Sequence, residues 1–380
     1  MRKNNKKIVL VVNVAWSMFN FRCGVIKRLI KDGYVVTIIA AQDEYSDKLR
    51  DMGCDVIDLA ISAKGTNPFK DIALIVNLYR HYRTILPDFI IHYSIKPNIY
   101  GSLAAKLAGI PSLAITTGLG YTFVNNNLVA KVARVLYKFA FCFPKEVWFL
   151  NEDDRQVFLQ YRLVAKDKAA LLYGEGVDLN HFAPPLQAVS YDAAMLNPPV
   201  RFLLIARMLW DKGVGEYVEA ARMIKAHYPQ AIFQLLGACG VANPSVIEHE
   251  QIAQWEAQGW VEYLGTTTDV RPFIANADCV VLPSYREGIP RTMIESASMA
   301  KPLIVTDVPG CREVVLHGQT GFLCPVKDVK GLSACCEKII IMPAIERVTM
   351  GNAGREFMAK QFDEKLVIEQ YMSTLKKYGV

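Results

Sequence analysis

The chain has 380 residues, more than one hydrophobic core accommodates, so two domains are expected. Its 52% hydrophobic and 21% charged residues, with a mean hydropathy of +0.17, describe a globular protein on the apolar side. No run reaches the roughly 18 to 20 apolar residues of a membrane-spanning helix. The net charge of +6 is unevenly held: residues 1–190 carry 24 Lys+Arg and 16 Asp+Glu, residues 191–380 carry 19 and 21. An anionic partner for the first half follows, a membrane surface or nucleic acid.

The N-terminus, "MRKNNKKIVLVVNVAWSMF", imitates a secretory leader, but Asn13 interrupts the apolar run and no small-residue cleavage site follows; a first buried strand is the expectation. Short β-branched runs then alternate with amphipathic stretches. "KIVLVVNV", "YVVTIIA", "CDVIDLA", "DFIIHYS" and "PSLAITT" read as strands, with helix-like segments such as "FRCGVIKRLIKDG" and "NIYGSLAAKLAG" between them. This is the rhythm of a parallel sheet covered on both faces. The nine cysteines form no C-x-x-C and no metal-ligand spacing with histidine, and are expected as buried thiols, Cys335 and Cys336 as core filler.

Ligands of open α/β sheets bind beyond the carboxyl ends of the strands. In the first half those ends offer Asn20 and Arg22 in "NVAWSMFNFR", and His92 in "IIHYSIKPN", which either faces a cleft or is a buried structural histidine. Lys96 reads either as a contact to an acceptor phosphate or as an exposed lysine, and Thr117, Gly118 and Gly120 in "TTGLGYTF" are candidates to line a sugar site. Further on, Lys131, Arg134 and Lys138 recur at helical spacing in "NNNLVAKVARVLYKFAFCFPKE". They read either as a basic interfacial helix at an anionic membrane or as the polar side of a packed amphipathic helix.

The rhythm breaks in "FAPPLQAVSYDAAMLNPPV". We therefore expect a first domain over 1–183, a linker over 184–199, a second domain over 200–362, and a final helix over 363–380 returning to the first domain. The second half restarts with "RFLLIAR", "AIFQLLG", "WVEYLG", "DCVVLP", "PLIVTD" and "TGFLCP". Arg207 and Lys212, five residues apart after the first of these, suit a diphosphate: a planar fork and a point charge. Gly237 and Gly265 follow the next two strands. Then comes "LPSYREGIPRTMIESASMAKPLIV", with Glu287 on a loop and Glu295 in the following helix. Pro290 is expected in the first helical turn, whose amides can receive an anion. Glu287 can accept protons from sugar hydroxyls and Glu295 those of a ribose diol. Gly288, Ile289 and Arg291 complete the expected donor site. The chain has no D-x-D, so no metal or other cofactor is expected, and the cation pair would neutralise the diphosphate.

"ARMLWDKG", "GEGVDLNHF" and the long segment from "YLGTTTDV" to "CREVV" resemble the signature segments of retaining glycosyltransferases of family four. The resemblance implies an α/β chain of the GT-B fold: two facing Rossmann-like doubly wound domains with an interdomain cleft, the first binding acceptor and the second nucleotide sugar. It implies that Arg207 and Lys212 stabilise the departing nucleotide, that Glu287 contacts the donor sugar and that Glu295 binds ribose, with anomeric retention. "AQDEYSDKLRDMGC", "NPFKD" and "TTGLGYTF" look most like bacterial enzymes adding hexose or hexosamine to undecaprenyl-diphosphate-linked saccharides. Implied partners are a UDP-sugar, a lipid-linked saccharide and an anionic membrane, with no nucleic acid; the implied location is peripheral, at the cytoplasmic face of the plasma membrane. The pattern departs where many members carry a Gly-Gly loop after the first strand and a histidine near Thr117. A nicotinamide dehydrogenase would need G-x-G-x-x-G after the first strand, which is missing. No aromatic-basic motif supports nucleic-acid binding. A non-hydrolysing UDP-sugar epimerase shares the architecture and is the nearest rival.

Overall fold

The computed structural model describes residues 6–61, 67–119, 128–185, 199–241 and 243–380. Two compact units emerge, one from the chain through Gly176 together with Glu364–Val380, the other from Val177–Asp363.

The first unit holds a seven-stranded sheet. Its strands are β1 (Lys7–Val14), β2 (Val35–Ala41), β3 (Asp55–Asp58), β4 (Phe89–Tyr93), β5 (Ser112–Thr116), β6 (Glu146–Phe149) and β7 (Ala169–Leu171), in the order β3-β2-β1-β4-β5-β6-β7. Every pairing is parallel. Ile8 to Val11 are fully buried, as a central strand covered on both faces requires. On one face, Leu78 and Tyr82 of helix Pro68–Ile85, Ile99 and Tyr100 of the turn Pro97–Gly101, and Tyr137 and Phe141 share a single core. Helix Glu364–Lys377 completes the unit: its buried Tyr371 packs edge-on against Trp148, ring centroids 5.1 Å apart, and receives a hydrogen bond from the Tyr93 hydroxyl at 3.1 Å. Beneath it, burial would raise the Glu146 carboxyl, but hydrogen bonds from Lys377 (2.6 Å), Trp148 (2.8 Å) and Tyr378 (3.0 Å) hold it below the ordinary carboxylate range.

The second unit carries β8 (Arg201–Ile205), β9 (Ile232–Leu236), β10 (Glu262–Tyr263), β11 (Cys279–Leu282), β12 (Leu303–Thr306) and β13 (Gly321–Cys324), again all parallel, in the order β10-β9-β8-β11-β12-β13. Phe202 and Phe233 stack at 4.7 Å, and the Tyr217 hydroxyl donates to the Phe202 carbonyl at 2.9 Å. The division between units falls after Gly176 rather than at the expected 183/184. The cause is packing. Val177 donates its amide to Phe362 O (2.8 Å), and Val177 and Phe182 join Met358 in the core of the second unit. The cysteine expectation needs correction too: Cys335 and Cys336 are buried, but Cys142 is exposed and Cys23 and Cys239 are half-buried.

Candidate active site

In the second unit, loops after three adjacent strands are drawn together by glycines. Gly213, at φ +71°, lies so close to the end of β11 that a Cβ there would stand 2.0 Å from the Pro283 oxygen. That contact sets the turn Trp210–Lys212 against the next loop, where the Tyr285 amide and the Ser284 hydroxyl both donate to Asp211 O, at 3.0 and 3.2 Å. From the other side, Gly310, at φ +86°, would place a Cβ 2.3 Å from Glu287 O, and the Glu287 amide donates to Pro309 O at 3.1 Å. Glu287 is thus held between the loops after β8 and β12. Lys212 Nζ meets its Oε1 at 2.5 Å.

The second glutamate is also paired. Pro290 is the N-cap of helix Arg291–Ser298 rather than a residue of its first turn, because its backbone is extended (ψ 110°) while its carbonyl already accepts from Met293 N at 3.0 Å. Arg291 Nε lies 2.8 Å from Glu295 Oε1. Burial pushes the Glu295 carboxyl up and Arg291 draws it back. Half-buried Ile289 packs onto the core below. Gly288 shares the Gly310 contact, its oxygen 2.5 Å from the same constructed Cβ. Gly237 donates to Gly265 O (2.8 Å) and accepts from the Tyr263 hydroxyl (2.8 Å). Arg207, beyond β8, is exposed and holds no ion pair among the described residues. Arg207, Lys212, Glu287, Glu295, Gly237 and Gly265 therefore all belong to the carboxyl edge of one sheet. Each carboxylate has a cation in contact, and Arg207 adds a further positive charge.

The first-unit candidates fare differently. Asn20 and Arg22 belong to helix Ala15–Lys31, not to a loop; Asn20 Nδ2 donates to Trp16 O at 2.9 Å. Arg22 is buried in an ion pair with Glu175, its guanidinium 4.1 Å from the Tyr93 ring centre. Of the two readings of His92, the buried structural histidine holds: Tyr82 Oη stands 3.0 Å from its Nε2 in the core, and burial pushes the imidazole down to about 3. Lys96 is held by Asp71 at 2.8 Å. Thr117 and Gly118 (φ +133°) follow β5, half-buried, and Gly120 lies outside the described residues. In helix Leu128–Ala140, Lys131 and Lys138 are exposed, but Arg134 turns onto the Tyr161 ring (4.5 Å), so the basic stripe has two members and not three. Gly310 and Tyr285 were passed over in the sequence, although the Pro-Gly pair after β12 was a turn signal.

Residues 7–149 match the family model described as "Glycosyl transferase 4-like" and residues 199–341 that described as "Glycosyl transferases group 1". The chain belongs to this glycosyltransferase family and is a nucleotide-sugar-dependent transferase. It is 32% identical, over 94% of both chains, to the N,N'-diacetylbacillosaminyl-diphospho-undecaprenol alpha-1,3-N-acetylgalactosaminyltransferase of Campylobacter jejuni. It is 25% identical, over 68% of both chains, to the UDP-Gal:alpha-D-GlcNAc-diphosphoundecaprenol alpha-1,3-galactosyltransferase of Escherichia coli. Anabaena HepE, solved with UDP and glucose, superposes with a TM-score of 0.80 at 19% identity, covering 98% of this chain and all of that one. A Rickettsia africae glycosyltransferase superposes with 0.76 at 20% identity, covering 99% of both chains. The fold is GT-B.

Proposed function

We propose that this enzyme moves a hexose or N-acetylhexosamine, with retention, from a UDP-sugar to an undecaprenyl-diphosphate-linked saccharide during assembly of a bacterial surface polysaccharide, O-antigen or glycan. The observation that carries the donor side is the contact between Lys212 and Glu287, which joins a phosphate-binding cation to a sugar-binding carboxylate. An incoming diphosphate competes with Glu287 for Lys212, and the released carboxylate accepts the sugar hydroxyls. Arg207 supplies the second charge on the departing diphosphate, which gains negative charge as the glycosidic bond breaks. Glu295, loosened from Arg291, takes the ribose diol. The acceptor class is supported by the relatives from Campylobacter jejuni and Escherichia coli. Product analysis with a panel of UDP-sugars and an undecaprenyl-diphosphate-linked N-acetylhexosamine tests the proposal. Consumption of donor without acceptor, forming an epimer, would overturn it.

We further propose that no metal takes part, since Arg207 and Lys212 stand where charge must be neutralised and the chain has no D-x-D. Transfer is expected to survive EDTA unchanged. Loss on chelation, restored by Mg²⁺ or Mn²⁺, would refute it.

Peripheral docking on an anionic membrane is supported by what the first unit leaves uncovered. Among the described residues no helix is long and apolar enough to cross a membrane. In helix Leu128–Ala140, however, Val135 is 69% and Phe139 59% exposed, the first between Lys131 and Lys138 and the second next to Lys138. Helix Pro68–Ile85 exposes Phe69 (84%) and Ile72, with exposed Lys70 between them in sequence. Both helices pack on the turn Pro97–Gly101, and residues 128–145 contain no acidic side chain. Apolar side chains flanked by lysines match an interfacial helix. Each lysine near an anionic surface is worth about 1 kcal/mol. Neutralising Lys131 and Lys138 (Lys→Gln) should therefore weaken binding to anionic liposomes roughly thirtyfold at low salt, and Phe139→Glu should weaken it at any salt. Unchanged sedimentation with liposomes would remove the membrane from the proposal.

A further inference from the structure

Trp16 is 44% exposed in the first turn of helix Ala15–Lys31, just past the carboxyl end of β1. In the first sheet β1 lies between β2 and β4, the place where strand order reverses and where open α/β sheets receive ligands. The residue is fixed from several directions. Its amide donates to Asp43 Oδ2 at 2.7 Å, while Asp43 Oδ1 accepts from Tyr45 N at 2.9 Å, so one carboxylate ties the segment after β1 to the segment after β2. Phe21 meets the indole edge-on at 5.1 Å. An exposed indole held this way is a preorganised apolar surface.

Its surroundings specify the ligand class. Val11 pairs with His92, and Asn13 and Ser94 each lie two residues further along the chain, where β1 shifts its register against β2. Asn13 Oδ1 has no hydrogen-bond partner, and Ser94 sits at φ +71°, the kind of strained backbone that persists where a site over-determines it. The first cations to follow these strand ends are both engaged, Arg22 with Glu175 and Lys96 with Asp71. An exposed aromatic face at the strand ends, with the cations occupied, suits an uncharged polyhydroxyl ring. The weakly positive axial C–H groups of a pyranose meet the negative face of the indole.

We propose that Trp16 is a stacking platform for a pyranose ring of the acceptor saccharide. This rests on the acceptor class proposed above. The test is steady-state kinetics of Trp16→Ala and Trp16→Phe with a UDP-sugar and an undecaprenyl-diphosphate-linked N-acetylhexosamine. Trp16→Ala should raise the acceptor KM at least tenfold while the donor KM and UDP affinity stay within twofold, and Trp16→Phe should recover most of the loss. An unchanged acceptor KM overturns the platform; so does an equal rise in donor KM, which would assign the ring to the nucleotide. Methyl glycosides of N-acetylglucosamine and N-acetylgalactosamine separate this proposal from the one beneath it. If the parent enzyme transfers nothing to the lipid-linked acceptor but these glycosides quench fluorescence that Trp16→Phe removes, the acceptor class falls and the platform stands. With no transfer and no Trp16-dependent quench, the platform falls as well.

Discussion

Lys212→Ala and Arg207→Ala should each lower transfer at least a hundredfold, about 3 kcal/mol of transition-state stabilisation, with much of the loss in kcat. The two variants reach that result by different routes. Arg207 is exposed and holds no ion pair among the described residues, so its removal subtracts the charge proposed to meet the diphosphate without disturbing a packed partner. Removing Lys212 also strips Glu287 of the cation 2.5 Å away, in a loop that Gly310 and Pro309 keep from relaxing. Thermal unfolding should therefore be unchanged for Arg207→Ala and modestly altered for Lys212→Ala, while both lose turnover. Near-normal rates in both would sink the diphosphate assignment.

The largest loss of stability is expected from Arg22→Ala. Burial disfavours the guanidinium charge, but Glu175 and the nearby Tyr93 ring hold it protonated. Taking the arginine away leaves the Glu175 carboxylate facing a low-dielectric site, a change that typically costs about 3 to 5 kcal/mol. Urea titration should show the midpoint falling accordingly. The paired change Arg22→Met with Glu175→Leu should recover most of the loss, because neither charge then remains to be solvated. If Arg22→Ala unfolds at the parent midpoint, Arg22 is not a structural ion-pair residue and returns to the list of ligand-binding candidates.

That last contrast shows what the sequence could disclose. Strands such as "KIVLVVNV" and "DCVVLP" were legible because a parallel strand covered on both faces must be apolar throughout. β6 and β7 escaped notice: "EVWF" begins on a glutamate whose burial is made tolerable only by Lys377, Trp148 and Tyr378, and "AAL" is three residues long. In the second unit, the rule that ligands lie beyond strand ends selected Lys212 and Glu287, which do meet from adjoining loops, but Gly310, which holds Glu287 in place from a third loop, leaves no local mark beyond a turn. In the first unit the same rule selected Arg22, His92 and Lys96 by chemical type. Whether such a side chain faces a ligand or a buried partner depends on Glu175, Tyr82 and Asp71, each remote in sequence.

The return of helix Glu364–Lys377 to the first unit has a consequence for biogenesis. As the chain leaves the ribosome, residues through Gly176 emerge before Val177–Asp363, yet Trp148 and Tyr93 wait for Tyr371, which follows that whole second segment. Val177–Asp363 has its sheet and core complete before then. The later-made unit can therefore mature first, while the earlier one keeps an aromatic surface open through most of translation. Transiently open apolar surface of this kind is what chaperones protect and what promotes aggregation. Stalling or premature termination anywhere after residue 176 would consequently injure the half of the protein that had already been made.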